Sequence, residues 1–252
     1  YAIPTPAASA FRAAPPSTLQ NRLMNGSGRR GETMTTGQWM KDCPADKILT
    51  LQEATERIRK GSRRFIGPGC GEPRQLIRGM VANPDIQDVL IYQMVSFTLA
   101  DYMDDPAFLE RFSLKLFFVS ATMRKAAFEG KIDYVPAYLS EIPDLFDSNQ
   151  IGLDTALIQV SPPDRFGFCS MGISVDVAPA ACRNARTVIA QVNPRMPRTA
   201  GNSFIHVDEI NFLVFHEEPL IESVPSIPDR EVAERIAYYV SELVEEIGRA
   251  HV

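Results

Sequence analysis

Two stretches of this chain hold residue types suited to chemistry. The first is Gly67-Pro68-Gly69-Cys70-Gly71-Glu72-Pro73, directly after an apolar run. Its glycines let a backbone approach a ligand closely, and a helix starting near Pro73 would favour an anion at its N-terminus. Within it Cys70 can serve as a nucleophile and Glu72 as a base. The competing readings are an ordinary thiol, since no His lies near Cys70 in sequence, and a first-turn acid on the helix dipole. The second stretch runs from Ser161-Pro162-Pro163-Asp164 through Gly167 and Ser170 to Gly172. Pro162 and Pro163 donate no N–H and end a strand, while Ser161 and Asp164 suit tight turns. Such a small, stiff, polar loop suits a bulky polar ligand; a plain strand-ending turn is the alternative. The first stretch is not a G-x-G-x-x-G fingerprint and lacks the Lys of a P-loop, so it specifically indicates neither a dinucleotide nor a nucleoside triphosphate.

The other candidates are weaker. Arg195 and Arg198 lie in a Pro-punctuated excursion over residues 193–206, where they could meet phosphate or carboxylate, or form surface ion pairs of little worth. His206 and His216 are too isolated to be ligands. Cys43, Cys70, Cys169 and Cys182 are scattered without a CxxC pair, which excludes a metal cluster at this level and suggests reduced thiols in a cytoplasm.

The elements that would position these loops alternate. A capped helix is predicted over 50–60, with Thr50 and Glu53 as a capping box. A strand over 63–66 leads into the glycine loop and a helix whose stripe is Leu76, Ile77, Met80 and Val81. Strands follow at 88–94, 114–119, 134–139, 156–160, 187–192 and 210–215. Helical pieces fall at 105–112, 121–130, 142–146 and 178–185. A last helix, capped by Asp229, carries Val232, Ile236, Val240, Leu243 and Val244 as its stripe. Alternation of this kind predicts an α/β fold, an open, mostly parallel sheet covered by helices. In such sheets ligands bind beyond the carboxyl ends of the strands, which predicts that the two loops lie side by side there.

The chain has 252 residues, 45% hydrophobic and 23% charged, with net charge −5. That composition suits a globular domain and offers no broad attraction to nucleic acid or anionic membrane, and no apolar run spans a bilayer. Residues 1–36 read as a disordered or non-native leader, 37–245 as one domain, and 246–252 as a foreign tail.

Several motifs, in order, resemble the N-terminal half of the acetyl-CoA hydrolase/transferase family, which includes 4-hydroxybutyrate and butyryl CoA-transferases. They are GCGEP from Gly69 to Pro73, SEIPDLF from Ser140, ALIQVSPPDRFGFCSMGISVD from Ala156, VIAQVNPRMPRT from Val188 and SFIHVDEI from Ser203. The resemblance implies two similar α/β domains with the active site between them. It implies an enzyme that moves CoA between carboxylic acids, or to water, through a glutamyl-CoA intermediate. It also implies that the nucleophilic glutamate belongs to a C-terminal half that this chain lacks. On that reading no residue here is catalytic, no cofactor is permanently bound, and a coenzyme A thioester is the substrate. Acyl-CoA, small carboxylic acids and the C-terminal domain are then the partners, with homo-oligomerisation left open. Gly69, Cys70, Gly71, Glu72, Pro73, Ser161, Pro162, Asp164, Gly167, Ser170 and Gly172 would line the cleft. Two alternatives remain at this stage: a non-catalytic α/β ligand-binding module and a sugar-phosphate isomerase-like enzyme.

Overall fold

The computed structural model describes residues 43–222 and 229–243. A seven-stranded sheet in the order β4-β3-β2-β1-β5-β7-β9 forms the centre. Its strands are β1 (Arg63–Ile66), β2 (Val89–Gln93), β3 (Phe112–Leu116), β4 (Asp133–Tyr134), β5 (Leu153–Val160), β7 (Ala185–Val192) and β9 (Phe212–Phe215). Every pairing within it is parallel. The longest register is β5 on β7, from Leu153↔Ala185 to Val160↔Val192.

Both faces are covered, which explains the unbroken apolar runs. On one face Phe65, Ala156, Ile158, Val160, Val188 and Val192 pack with Ile142 and Phe146 of α5 (Ile142–Asp147) and with Ala178, Ala181 and Cys182 of α6 (Ala178–Asn184). On the other, Ile66, Ile91, Leu157, Ile189 and Val214 pack with Ala54 of α1 (Leu51–Glu56) and Leu76, Ile77 and Met80 of α2 (Arg74–Ala82). Phe108 of α3 (Pro106–Leu109) and Ala126 of α4 (Arg124–Phe128) extend that layer. Each of these Val, Leu, Ile, Phe and Met side chains, fully buried, contributes about 1.5–3 kcal/mol.

Several boundaries differ from expectation, each for a local reason. The Thr50–Glu53 capping box forms, but α1 stops at Glu56. Beyond it the Arg59 carbonyl accepts from Ser62 Oγ and Arg64 Nη2, drawing the chain into a turn. The strand expected over 134–139 shrinks to β4, because Pro136 has no N–H to extend the ladder. The strand expected at 114–119 is β3, shifted to Phe112–Leu116. A two-stranded antiparallel sheet, β6 (Phe168–Ser170) on β8 (Phe204–His206), folds inside what the sequence presents as loops. The last helix, α7 (Arg230–Ser241), leaves Val232, Ile236 and Val240 of the expected stripe exposed at 54%, 58% and 53%, and Leu243, just past its end, is 84% exposed. Asp229 occupies its N-cap position without a side-chain cap bond. Val244, the leader over 1–36 and the tail over 246–252 lie outside the described residues.

Candidate functional site

The two candidate loops meet at the carboxyl edge of the parallel sheet, following β1 and β5, which are neighbours. Ser174 Oγ, just past Gly172, donates to the Pro68 carbonyl at 2.7 Å. A Cβ on Gly71 would collide with the Ser174 side chain, so glycine there is what allows the loops to close. The Gly69 N–H donates to the Val95 carbonyl after β2, joining a third loop to the edge.

Glu72 organises this junction. It is only 1% exposed. Its Oε1 accepts from the Phe97 N–H at 2.7 Å and Gln93 Nε2 at 3.0 Å, and its Oε2 from the Thr98 N–H at 2.8 Å. Its own carbonyl accepts from Gln159 Nε2 at 3.0 Å. The carboxylate therefore caps the 3₁₀ turn Thr98–Tyr102 across the edge, not the first turn of α2, which starts later with Pro73 at its N-cap position. Burial pushes the Glu72 carboxyl above its ordinary range, and its hydrogen-bond donors act in the opposite sense.

Beneath the loops runs a row of buried amides on one face of the sheet. Gln93 ends β2, Gln159 is the last residue but one of β5, and Gln191 is the last but one of β7; Gln159 and Gln191 are register partners. Gln191 Oε1 accepts from the Gln75 and Leu76 N–H groups, so it holds the start of α2. Its Nε2 donates to Gln159 Oε1 at 3.2 Å and to Glu218 Oε1 at 2.7 Å. Asn193 Nδ2 also donates to Gln159 Oε1, and Glu218 Oε2 pairs with Arg74 at 3.0 Å. These residues escape a reading by loop composition. A signal was nevertheless there: Tyr-Gln-Met, Ile-Gln-Val and Ala-Gln-Val each put one amide at the end of an apolar run.

The Ser161–Gly172 loop is held mostly by itself and by one arginine. Buried Ser161 accepts through Oγ from the Ser170 N–H at 2.9 Å and donates to the Pro162 carbonyl. Asp164 Oδ1 accepts from the Phe166 and Phe168 N–H groups. Ser170 Oγ accepts from the Gly172 and Thr199 N–H groups. Arg198 reaches over the loop: Nη1 donates to Ser161 Oγ and to the Pro162 and Phe168 carbonyls, and Nη2 pairs with Asp164 Oδ2 at 3.0 Å. Arg198 is thus spent on structure, and Arg195 forms an exposed pair with Glu217 at 3.2 Å. Gly172, at φ +63°, lies so close to Met196 Sδ that no side chain fits. His206 is likewise structural: Nδ1 accepts from the Asp208 N–H, which leaves Nε2 to donate to the Phe166 carbonyl at 2.9 Å.

Gly69, Cys70, Pro162, Asp164 and Gly167 retain partial exposure, while Gly71, Glu72, Pro73, Ser161, Ser170 and Gly172 are buried behind them. The edge therefore offers a shaped surface of backbone and small side chains on a rigid polar base. No group of three or more metal-ligating side chains occurs among the described residues. Burial pushes the Cys169 and Cys182 thiols up to about 12, which suppresses their thiolates.

A family model described as the acetyl-CoA hydrolase/transferase N-terminal domain matches residues 34–225. The chain belongs to that family. Among curated relatives of this acetyl-CoA hydrolase/transferase domain, a 4-hydroxybutyrate coenzyme A transferase from Clostridium kluyveri is 38% identical over 181 residues, covering 71% of this chain and 42% of the relative. A succinyl-CoA:acetate/propanoyl-CoA:succinate CoA transferase from Fasciola hepatica is 36% identical, covering 76% and 40%. The crystal structure of RipA from Yersinia pestis superposes with a TM-score of 0.74 at 28% identity, covering 82% of this chain and 50% of that one. The chain thus spans about two fifths of the length of these curated relatives. Its two candidate loops lie wholly inside the family match.

Proposed function

We propose that this domain forms one side of the active-site cleft of an enzyme that moves coenzyme A between carboxylic acids, or from an acyl-CoA to water. The observation that carries the reading is the junction of the Gly69–Pro73 and Ser161–Gly172 loops at the carboxyl edge, inside a domain whose relatives are CoA-transferases. Gly69, Cys70 and Pro162 would face the acyl-CoA, and Gly71, Glu72, Pro73, Ser161, Asp164, Gly167, Ser170 and Gly172 would shape that surface.

The nucleophile in this proposal is a glutamate of a C-terminal domain. Its carboxylate oxygen attacks the thioester carbonyl and expels the CoA thiolate, giving an acyl-glutamyl anhydride. The thiolate then attacks the glutamyl carbonyl, releases the first acid as carboxylate, and leaves the enzyme as a glutamyl-CoA thioester. A second carboxylate reverses the sequence. The described glutamates support assigning the nucleophile elsewhere. Glu72 is fully engaged by backbone N–H groups, and Glu218 is held by Arg74 and Gln191. Attack requires a carboxylate poised at the reacting carbon, where positioning supplies about 7–11 kcal/mol in ideal cases.

The test is CoA exchange between acetyl-CoA and a second carboxylate, assayed with this chain alone and with the protein extended by a family C-terminal domain. Exchange by the extended protein alone is the expected result. Turnover by this chain that Glu72→Gln abolishes would place the nucleophile in the Gly69–Pro73 loop and overturn the proposal.

A further inference from the structure

The opposite edge of the sheet carries a second feature. A cavity of about 580 Å³ opens at the amino ends of β5, β7 and β9, lined by residues 56, 57 and 59–62, and by Asp154, Thr155, Arg186, Thr187 and Phe212. The cations on it are Arg57, Arg59, Lys60 and Arg186, against the carboxylates Glu56 and Asp154, in a chain whose net charge is −5. Asp154 is already committed: it accepts from the Arg63 N–H at 2.9 Å and sits 3.7 Å from Arg186. Lys60 pairs with exposed Asp88 at 3.3 Å. Among the described residues, Arg57 and Arg59 have no carboxylate within 4 Å. The floor holds Thr155 and Thr187, register partners on adjacent strands, beside buried Ser62.

Directly behind Ser62 lies Arg64, which is completely buried. Its guanidinium donates to Ser62 Oγ from Nε at 3.1 Å and Nη2 at 2.6 Å, and to the Arg59 carbonyl at 2.9 Å, while Nη1 faces Met80 Sδ. No carboxylate among the described residues comes within 4 Å of it. A buried cation without a counter-ion in direct contact is costly. Asp154, which lines the cavity, favours the charged guanidinium from beyond 4 Å. The nearest polar neighbour of Arg64, Ser62, lines the cavity too, so an anion held there would add to that negative charge.

We infer that this amino-edge cavity binds a phosphoryl group, with Arg57, Arg59 and Arg186 as its charge partners, the Thr155 and Thr187 hydroxyls as neutral donors, and Arg64 as buried support. A phosphate dianion matches the excess of two positive charges on the lining, and planar guanidinium groups suit phosphate oxygens. The shared chemistry leaves two sources, a free phosphate or the phosphates of a nucleotide. This site is remote from the proposed CoA cleft and stands or falls independently of it.

The experiment is calorimetric titration of this chain with inorganic phosphate, pyrophosphate and adenosine diphosphate in separate arms, repeated with an Arg59→Ser/Arg186→Ser variant. Both substituted side chains are exposed, and circular dichroism checks that the variant folds. Saturable one-to-one binding in at least one arm, weakened about tenfold or more in the variant, is expected. Binding in all arms identifies the phosphoryl group itself as the ligand, and binding of the nucleotide alone extends the site to the base. Failure of every arm to saturate by about 10 mM, ten times a weak dissociation constant of 1 mM, overturns the inference. So does binding that the variant leaves unchanged.

Discussion

The two loops at the carboxyl edge are built on different plans. The Gly69–Pro73 loop owes its shape to groups far away in sequence: Gln93, Phe97 and Thr98 on Glu72, Gln159 on the Glu72 carbonyl, and Ser174 on Pro68. The Ser161–Gly172 loop is knit by its own Ser161, Asp164 and Ser170, with Arg198 added from outside. The first loop therefore exists only when three strands are already in register, whereas much of the second can form locally. Damage should spread from the first loop across the edge and stay confined in the second.

Glu72→Gln should show the largest effect. It sets an amide N–H₂ group against buried backbone donors and leaves at least one of them unpaired, so urea denaturation should reveal a loss of about 2–4 kcal/mol. Burial raises the Glu72 carboxyl in the folded state, so folding favours its protonated form. The contribution from this group is fully present below its ordinary value of 4.5 and is lost as pH rises through the raised value. Stability measured across that acid range should lose this component in the Gln variant; an unchanged profile would remove Glu72 from its assigned place.

Gly172→Ala comes next. A side chain there meets Met196 Sδ at a φ of +63°, and the loss should be about 1–3 kcal/mol, with hydrogen exchange quickening near Ser170 and Thr199 while the Glu72 contacts persist. Arg198→Lys keeps the charge but cannot span Ser161, Pro162, Phe168 and Asp164 together. Its partial exposure limits the expected cost to about 1 kcal/mol, read as a small fall in Tm. Arg195→Ala, at an exposed pair, should change stability by less than about 0.5 kcal/mol. A larger loss than for Arg198→Lys would reverse the ranking of the two arginines.

The sheet, its parallel sense and the meeting of the loops were legible because Pro162, Pro163 and the glycines punctuate apolar runs unambiguously. The amide row was not. A single Gln within Leu-Ile-Gln-Val looks like a lapse in hydrophobicity until its neighbour's Gln appears at the same level of the next strand. The β6–β8 pairing escaped for a related reason: Cys169 meets Ile205 across a long intervening chain, and neither three-residue strand has a period to detect. For α7 the pattern was plain, but periodicity identifies an apolar face without revealing what covers it. Glu72 shows the same limit, since its neighbours in sequence suggest a helix dipole and its neighbours in space are backbone N–H groups from the next loop.

The central pairing of this sheet also sets a clock. Arg64 in β1 lies beside Thr155 in β5, a partner synthesised 91 residues later. At ribosomal rates of about 5–20 residues per second, β1 waits roughly 5–20 s with that side open, although β2 arrives early to close the other. Throughout that interval Phe65 and Ile66, both wholly buried in the finished molecule, border an unpaired strand. The nascent chain is therefore most vulnerable to mispairing between the emergence of β1 and that of β5, and a chaperone that shields this half-sheet would act during those seconds.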